Sequence, residues 1–378
     1  MDPVTQLRKS QEMPIVEVMD TSVDRVRWLL GERGITQGEL ASAIGLDASK
    51  MSKSLGGQRR FSSLEYALIA EETGVSVDWL LTGTTDHVAV AARAESRSNA
   101  AAAADQATQV VELARTAESL GRSAHQVTLV VDLDTGTWRE QGERLADAAL
   151  AVPGATEIAA STELAADIDR VFGIDVGVLD LGDDVDGLCA LEGTVAVILA
   201  APTPVPVRQR FTLAHELGHA LARDDQGLRI DVDIENPGRD GSEQRANAFA
   251  AAFLMPAGLL EERVGSTQPG RDLVAELAID LGVSPSALAH RMERLGMIDG
   301  MTCVRLGDMT HKQAQQLTGR VAEWGARQAR AMEERPPPRL AAALYAAYVE
   351  GRTTLRPYAR LLGADVDELR ASLEGGER

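Results

Sequence analysis

The chain has 378 residues, 44% of them hydrophobic, which is enough for roughly two to three domains of about 100–200 residues with sizeable cores. No apolar run approaches the roughly 18–20 residues of a membrane span, and no charged-then-apolar leader opens the chain, so neither a membrane protein nor a secreted one is expected. Two cysteines, Cys189 and Cys303, exclude a disulfide framework and fit a reducing cytoplasm, while 57 acidic against 38 basic residues (net −19) argue against a nucleic-acid binder unless positive charge is concentrated locally.

Residues 1–20 mix Pro, Gln and charges without periodicity, which predicts a loose arm. From 21 to 85 the pattern is short helices with tight breaks. Val23, Val26, Leu29 and Leu30 recur at helical spacing up to Gly34. Thr36 with Glu39 forms a capping-box pattern for a helix that turns Leu40, Ala41 and Ile44 inward and ends at Gly45. A third helix is expected from about Ser49 to Leu55, and two more near Ser62–Thr73 and Ser76–Leu81. The alanine-rich stretch Val88–Gln109 favours helix and reads as the start of a helical spacer and connector over 86–151. Within that connector, Val127–Leu133 alternates like a strand, and a helix is expected around Arg139–Leu150.

Residues 152–268 read as α+β. A helix near Thr162–Phe172 precedes a strand over Asp175–Leu181, then a hairpin of Gly187–Leu191 and Val195–Leu199 turning at Glu192-Gly193-Thr194. Arg208–Ala222 and Glu243–Leu254 are strong helices, the second stopped before Pro256. The rest, 269–378, reads as a helical C-terminal region broken at glycines and prolines. Cys189, on the predicted hairpin, is expected as a small buried residue, and His87, His125, His290 and His311 carry no assigned role.

His215-Glu216-Leu217-Gly218-His219 is the sharpest chemical signal. At about 3.6 residues per turn, the two histidines share a helix face and can reach one ion at about 2.0–2.1 Å, the zinc–nitrogen distance. Glu216, rotated by about 100°, flanks that ion and is placed to take a proton from its water. A further ligand is needed. Glu243 opens the next strong helix and is the favoured third ligand, over Asp224, Asp225 and Glu261. Asp224 and Asp225 follow the motif so closely that they are not expected to fold back. Asn247, one turn after Glu243, is placed to hold a ligating imidazole by its free N–H.

The stretches Arg208–His219 and Glu243–Pro256 resemble the ImmA/IrrE family of bacterial metallopeptidases, over about residues 155–300. The resemblance implies a zincin-like fold over 152–268, with His215, His219 and Glu243 on Zn2+ and Glu216 as general base and acid. It also implies a substrate that is a helix-turn-helix repressor cleaved in response to DNA damage or mobile-element signals. Val195–Leu199 would then be the strand edge beside the cleft, to which an extended substrate could add. Val274–Ile298 resembles the helical segment after the peptidase core in this family and is read as packing or substrate docking. The GAF-like sensory tail of some relatives is not evident in the sequence.

Gln37–Lys53 resembles the Xre/Cro-type helix-turn-helix, which implies an all-α DNA-binding domain over 21–85 that binds as a homodimer. Gln37, Ser49, Lys50, Ser52 and Lys53 would face DNA, with Arg59 and Arg60 completing a basic cluster. Local charge supports this. Residues 21–83 hold seven basic and eight acidic side chains, whereas 152–264 hold eight and twenty. The combined expectation is a cytoplasmic regulator of double-stranded operator DNA carrying a zinc endopeptidase whose substrate is a repressor or the chain itself. The alternative is a non-catalytic repressor or antitoxin that uses the zincin fold as a sensor or partner-binding domain.

Overall fold

A computed structural model describes residues 22–62, 65–66, 68–69, 73, 80, 89–92, 97–123, 127–182, 185–224, 241–265 and 268–375. The expected arm at 1–20, His87 and His125 lie outside the described residues, as does most of the two helices expected over 62–81. The chain forms two compact units, Met1–His87 and Val88–Arg378.

In the first unit, α1 (Ser22–Arg33), α2 (Gln37–Ala43) and α3 (Ala48–Leu55) enclose a core that includes Val26, Leu29, Leu40, Ala41, Met51 and Ile69. The capping box forms as read: Glu39 N–H donates to the Thr36 hydroxyl, and Glu39 in turn accepts from Thr36 N–H. Gly45 sits at φ 65° in the turn between α2 and α3, where a Cβ would be strained. Asp47 caps α3 by accepting from the amides of Ser49 and Lys50.

The second unit is built on a four-stranded mixed sheet: β1 (Ala89–Ala92), β2 (Asp175–Val178), β3 (Gly187–Glu192) and β4 (Val195–Ala200). Its strand order is β1-β3-β4-β2, antiparallel except for the β2–β4 pair. The hairpin joins β3 and β4 as expected. All six β4 residues are buried because both faces of the sheet are covered, which is why the strand reads as an unbroken apolar run. Val195, Val197 and Leu199 pack on α4 (Arg97–Ser119) through Ala107, Val110, Val111 and Ala114. Ala196, Ile198 and Ala200 join the opposite core with Leu213 and Leu217.

The structure departs from three expectations. The helix read as part of a spacer is a covering layer of the sheet, because its alanines bury a flat face that the strands need filled. Val127–Leu133 joins no strand ladder among the described residues. Its alternation reflects Val127, Leu129, Val131 and Leu133 lying half-buried on the core. The expected boundary between 268 and 269 is absent, because Val274, Leu277, Ala278, Leu288 and Met292 share one core with Leu213, Leu217 and Phe249.

Around the sheet, α5 (Trp138–Leu150), α6 (Leu164–Phe172), α7 (Pro206–Ala222) and α8 (Gly241–Leu254) form the helical layer that carries the candidate site. Next come α9 (Ala257–Val264), α10 (Arg271–Leu281), α11 (Pro285–Arg294), α12 (Gly300–Gly307) and α13 (His311–Thr318). The unit ends with α14 (Val321–Met332), α15 (Pro338–Val349), α16 (Arg356–Leu362) and α17 (Val366–Gly375). The Val274–Ile298 segment therefore serves packing, one of its two expected uses. No helix among the described residues is long and apolar enough to cross a membrane.

Candidate metal centre

Helix α7 is buried along most of its length, so its polar residues are held in fixed positions. His215, Glu216 and His219 are 1%, 2% and 3% exposed. Gly218 permits the neighbouring helix to come close: a Cβ there would lie 3.0 Å from the Phe249 ring and 3.3 Å from the Ala246 Cα. This approach brings Glu243, in the first turn of α8, against both histidines.

The three donor groups converge. His215 Nε2 and His219 Nε2 are 3.0 Å apart, His219 Nε2 is 3.1 Å from Glu243 Oε1, and His215 Nε2 is 3.3 Å from Glu243 Oε2. Donors set about 2.0–2.1 Å from one tetrahedral ion stand about 3.3 Å from each other. The trio therefore fits zinc in donor type and spacing. Burial pushes the Glu243 carboxyl pKa up, but hydrogen bonds with His215 and His219 overcome this and hold it well below the usual carboxylate range.

Asp224 is the residue that the sequence reading set aside. Its Oδ2 lies 3.1 Å from His219 Nδ1, and its Oδ1 accepts from Arg245 Nη2. Arg223 makes this possible: it ends α7 in the left-handed region at φ 54°, and that turn folds Asp224 back on the helix. An Asp224 carboxylate accepting the Nδ1 proton fixes the tautomer that leaves Nε2 open to a metal. Arg245 donates Nη1 to Gln141 Oε1 at 3.0 Å, and its guanidinium lies 5.1 Å from the Trp138 ring centroid. At His219, Asp224 thus does what was expected of Asn247, which stands on the exposed side of α8. Glu261 is exposed on α9 and is not part of the trio, and Asp225 lies outside the described residues.

The strand-edge expectation fails. β4 is paired with β3 along its whole length and with β2 over Val197–Ala200, so Val197–Leu199 has no open edge for an added strand. In the first unit, Gln37, Ser49, Lys50, Ser52, Lys53 and Arg60 are all exposed. Arg59 differs. Its guanidinium makes a two-pronged pair with Glu65, at 2.9 and 2.7 Å, which removes one charge from the expected basic cluster.

Residues 170–293 match the Peptidase_M78 family, described as the IrrE N-terminal-like domain. The chain is 40% identical over 100 residues to a radiation response metalloprotease IrrE of Deinococcus deserti, covering 25% of this chain and 35% of that protein. It is 36% identical over 125 residues to the protein of the same name from Deinococcus radiodurans, covering 32% of this chain and 37% of that protein. The chain thus spans little more than a third of the length of the curated relatives it matches. The family match contains both helices that carry the trio, so residues 170–293 form a segment similar to an IrrE-type metalloprotease domain.

Proposed function

We propose that the protein is a DNA-binding transcriptional regulator carrying a zinc-dependent endopeptidase. It hydrolyses a peptide bond in a regulatory protein, either a helix-turn-helix repressor or the chain itself, in a stress response. The observation that carries this reading is the convergence of His215, His219 and Glu243 from two helices, beside a buried Glu216. The two relatives, both named for a radiation response, support the setting.

In this reading His215, His219 and Glu243 hold zinc, and Asp224 orients His219. Zinc, when bound, supplies a Lewis acid that acidifies water and polarises a carbonyl. Glu216 takes the proton released as water attacks the scissile carbonyl, and returns it to the leaving amine. Its burial on a rigid helix holds the carboxylate in place without further ordering.

The first unit is proposed to place the protein on operator DNA as a homodimer. Ser49, Lys50, Ser52 and Lys53 of α3 would enter the major groove, while Gln37 and Arg60 would contact its edges or phosphates. The experiment is a cleavage assay with zinc-loaded protein and the repressors encoded beside it, with Glu216→Gln as control. Cleavage that survives in Glu216→Gln would remove the assigned mechanism.

A further inference from the structure

Among the described residues, a second group of three metal-ligating side chains lies apart from the first. His290 and Glu293 stand one turn apart on α11, and Cys303 reaches them from α12. Cys303 Sγ lies 3.4 Å from His290 Nδ1, and His290 Nδ1 lies 3.7 Å from Glu293 Oε2. Around one tetrahedral zinc, with bonds of about 2.3 Å to sulfur and 2.0–2.2 Å to nitrogen or oxygen, those separations come to about 3.6 and 3.4 Å. Both observed separations are within about 0.3 Å of these values, and the three donor atoms all lie within 4.8 Å of one another.

Rarity adds to the geometry. The chain holds only two cysteines and six histidines, and one of each meets here beside a carboxylate. The connection between the helices is well fixed: Asp299 caps α12 by accepting from Thr302 N–H, and its carbonyl accepts from Cys303 N–H. Gly300 leaves room for the carboxylate, since a Cβ there would lie 3.1 Å from Glu293 Oε1. Cys303 is buried, whereas the His290 and Glu293 side chains are 65% and 40% exposed, so an ion could enter from solvent and keep a water as fourth ligand.

We infer that His290, Glu293 and Cys303 form a second metal site, of the zinc type, that ties α11 to α12. Thiolate and imidazole donors select zinc-like ions over magnesium or calcium, which want oxygen. Binding replaces the thiol S–H bond with a metal–sulfur bond and releases the proton to solvent. The inference is independent of the peptidase reading, because the peptidase trio contains no sulfur.

The test is a cobalt(II) titration of the metal-free full chain, followed by absorption spectroscopy. A thiolate-to-cobalt charge-transfer band in the near ultraviolet is expected in the wild-type protein. The band should persist in Glu243→Gln and vanish in Cys303→Ser, which should still take up the equivalent held by the peptidase trio. Should Cys303→Ser fail to fold, His290→Ala changes an exposed position and should weaken the site at least about tenfold. The absence of the band in folded wild-type protein, its persistence in Cys303→Ser, or an unchanged midpoint in His290→Ala would overturn the inference.

Discussion

The carboxylate of Asp224 sits 3.1 Å from Nδ1 of His219, five residues beyond the histidine it orients. The same carboxylate also accepts from Arg245, so the pair is anchored to α8 as well as to the end of α7.

Replacing Asp224 by Asn therefore removes the anionic acceptor and loosens the ring. Zinc affinity should fall about 10–100-fold, the usual cost of losing such a support. Competition with a chromogenic chelator measures it. An unchanged affinity would show that His219 is oriented by packing alone.

Gly218 is needed because α7 and α8 touch there. Phe249 is fully buried and stacks on Phe253 at 5.4 Å, so it has little room to yield. Gly218→Ala should cost about 1–3 kcal/mol by overpacking. It should also weaken metal binding, since it pushes α8, and Glu243 with it, away from the histidines. Urea unfolding and metal titration of the same variant read both effects.

Acid sensitivity should have a contribution from His311. Burial, helped by the charge of Arg327, lowers its pKa from 6.5 to about 4, and its ring lies 4.2 Å from that of Trp324. The folded state thus binds the proton less readily than the unfolded chain. The stability this group contributes is fully present above pH 6.5 and is lost as pH falls toward about 4. His311→Gln should flatten the fall in melting temperature across that window. An identical profile in the variant would remove His311 as a cause.

The proposed operator binding should separate the lysines from Arg59. Lys50→Ala and Lys53→Ala should each weaken binding and lower the slope of log affinity against log salt by about 1. Arg59, paired with Glu65, should leave that slope almost unchanged when replaced by Ala. Mobility shifts at several salt concentrations distinguish these cases.

The convergence of His215, His219 and Glu243 is legible in the sequence because helical spacing alone aligns His215 with His219, and because Glu243 opens the next strong helix. Asp224 was not legible, since it depends on one left-handed residue, Arg223, whose conformation no side-chain pattern announces. The hairpin could be read from its turn, but not the fact that β4 is paired on both sides. That pairing depends on β2, which is separated from β4 by another strand in the sequence. Similarly, α4 reads as an alanine-rich spacer until the sheet it covers is seen. The grouping of Cys303 with His290 and Glu293 is not legible in the sequence, because the cysteine lies on a different helix from its partners.

In the proposed function, a zinc held by His215, His219 and Glu243 works with Glu216 to hydrolyse a peptide bond. Cleavage of a helix-turn-helix repressor by wild-type protein and by Glu216→Gln, each with its zinc content measured, tests it most directly. Equal zinc content is expected, with cleavage by the wild type that stops on chelation and returns with zinc, and no cleavage by the variant. Equal cleavage by wild type and variant, or wild-type cleavage that persists after zinc is removed, would contradict it.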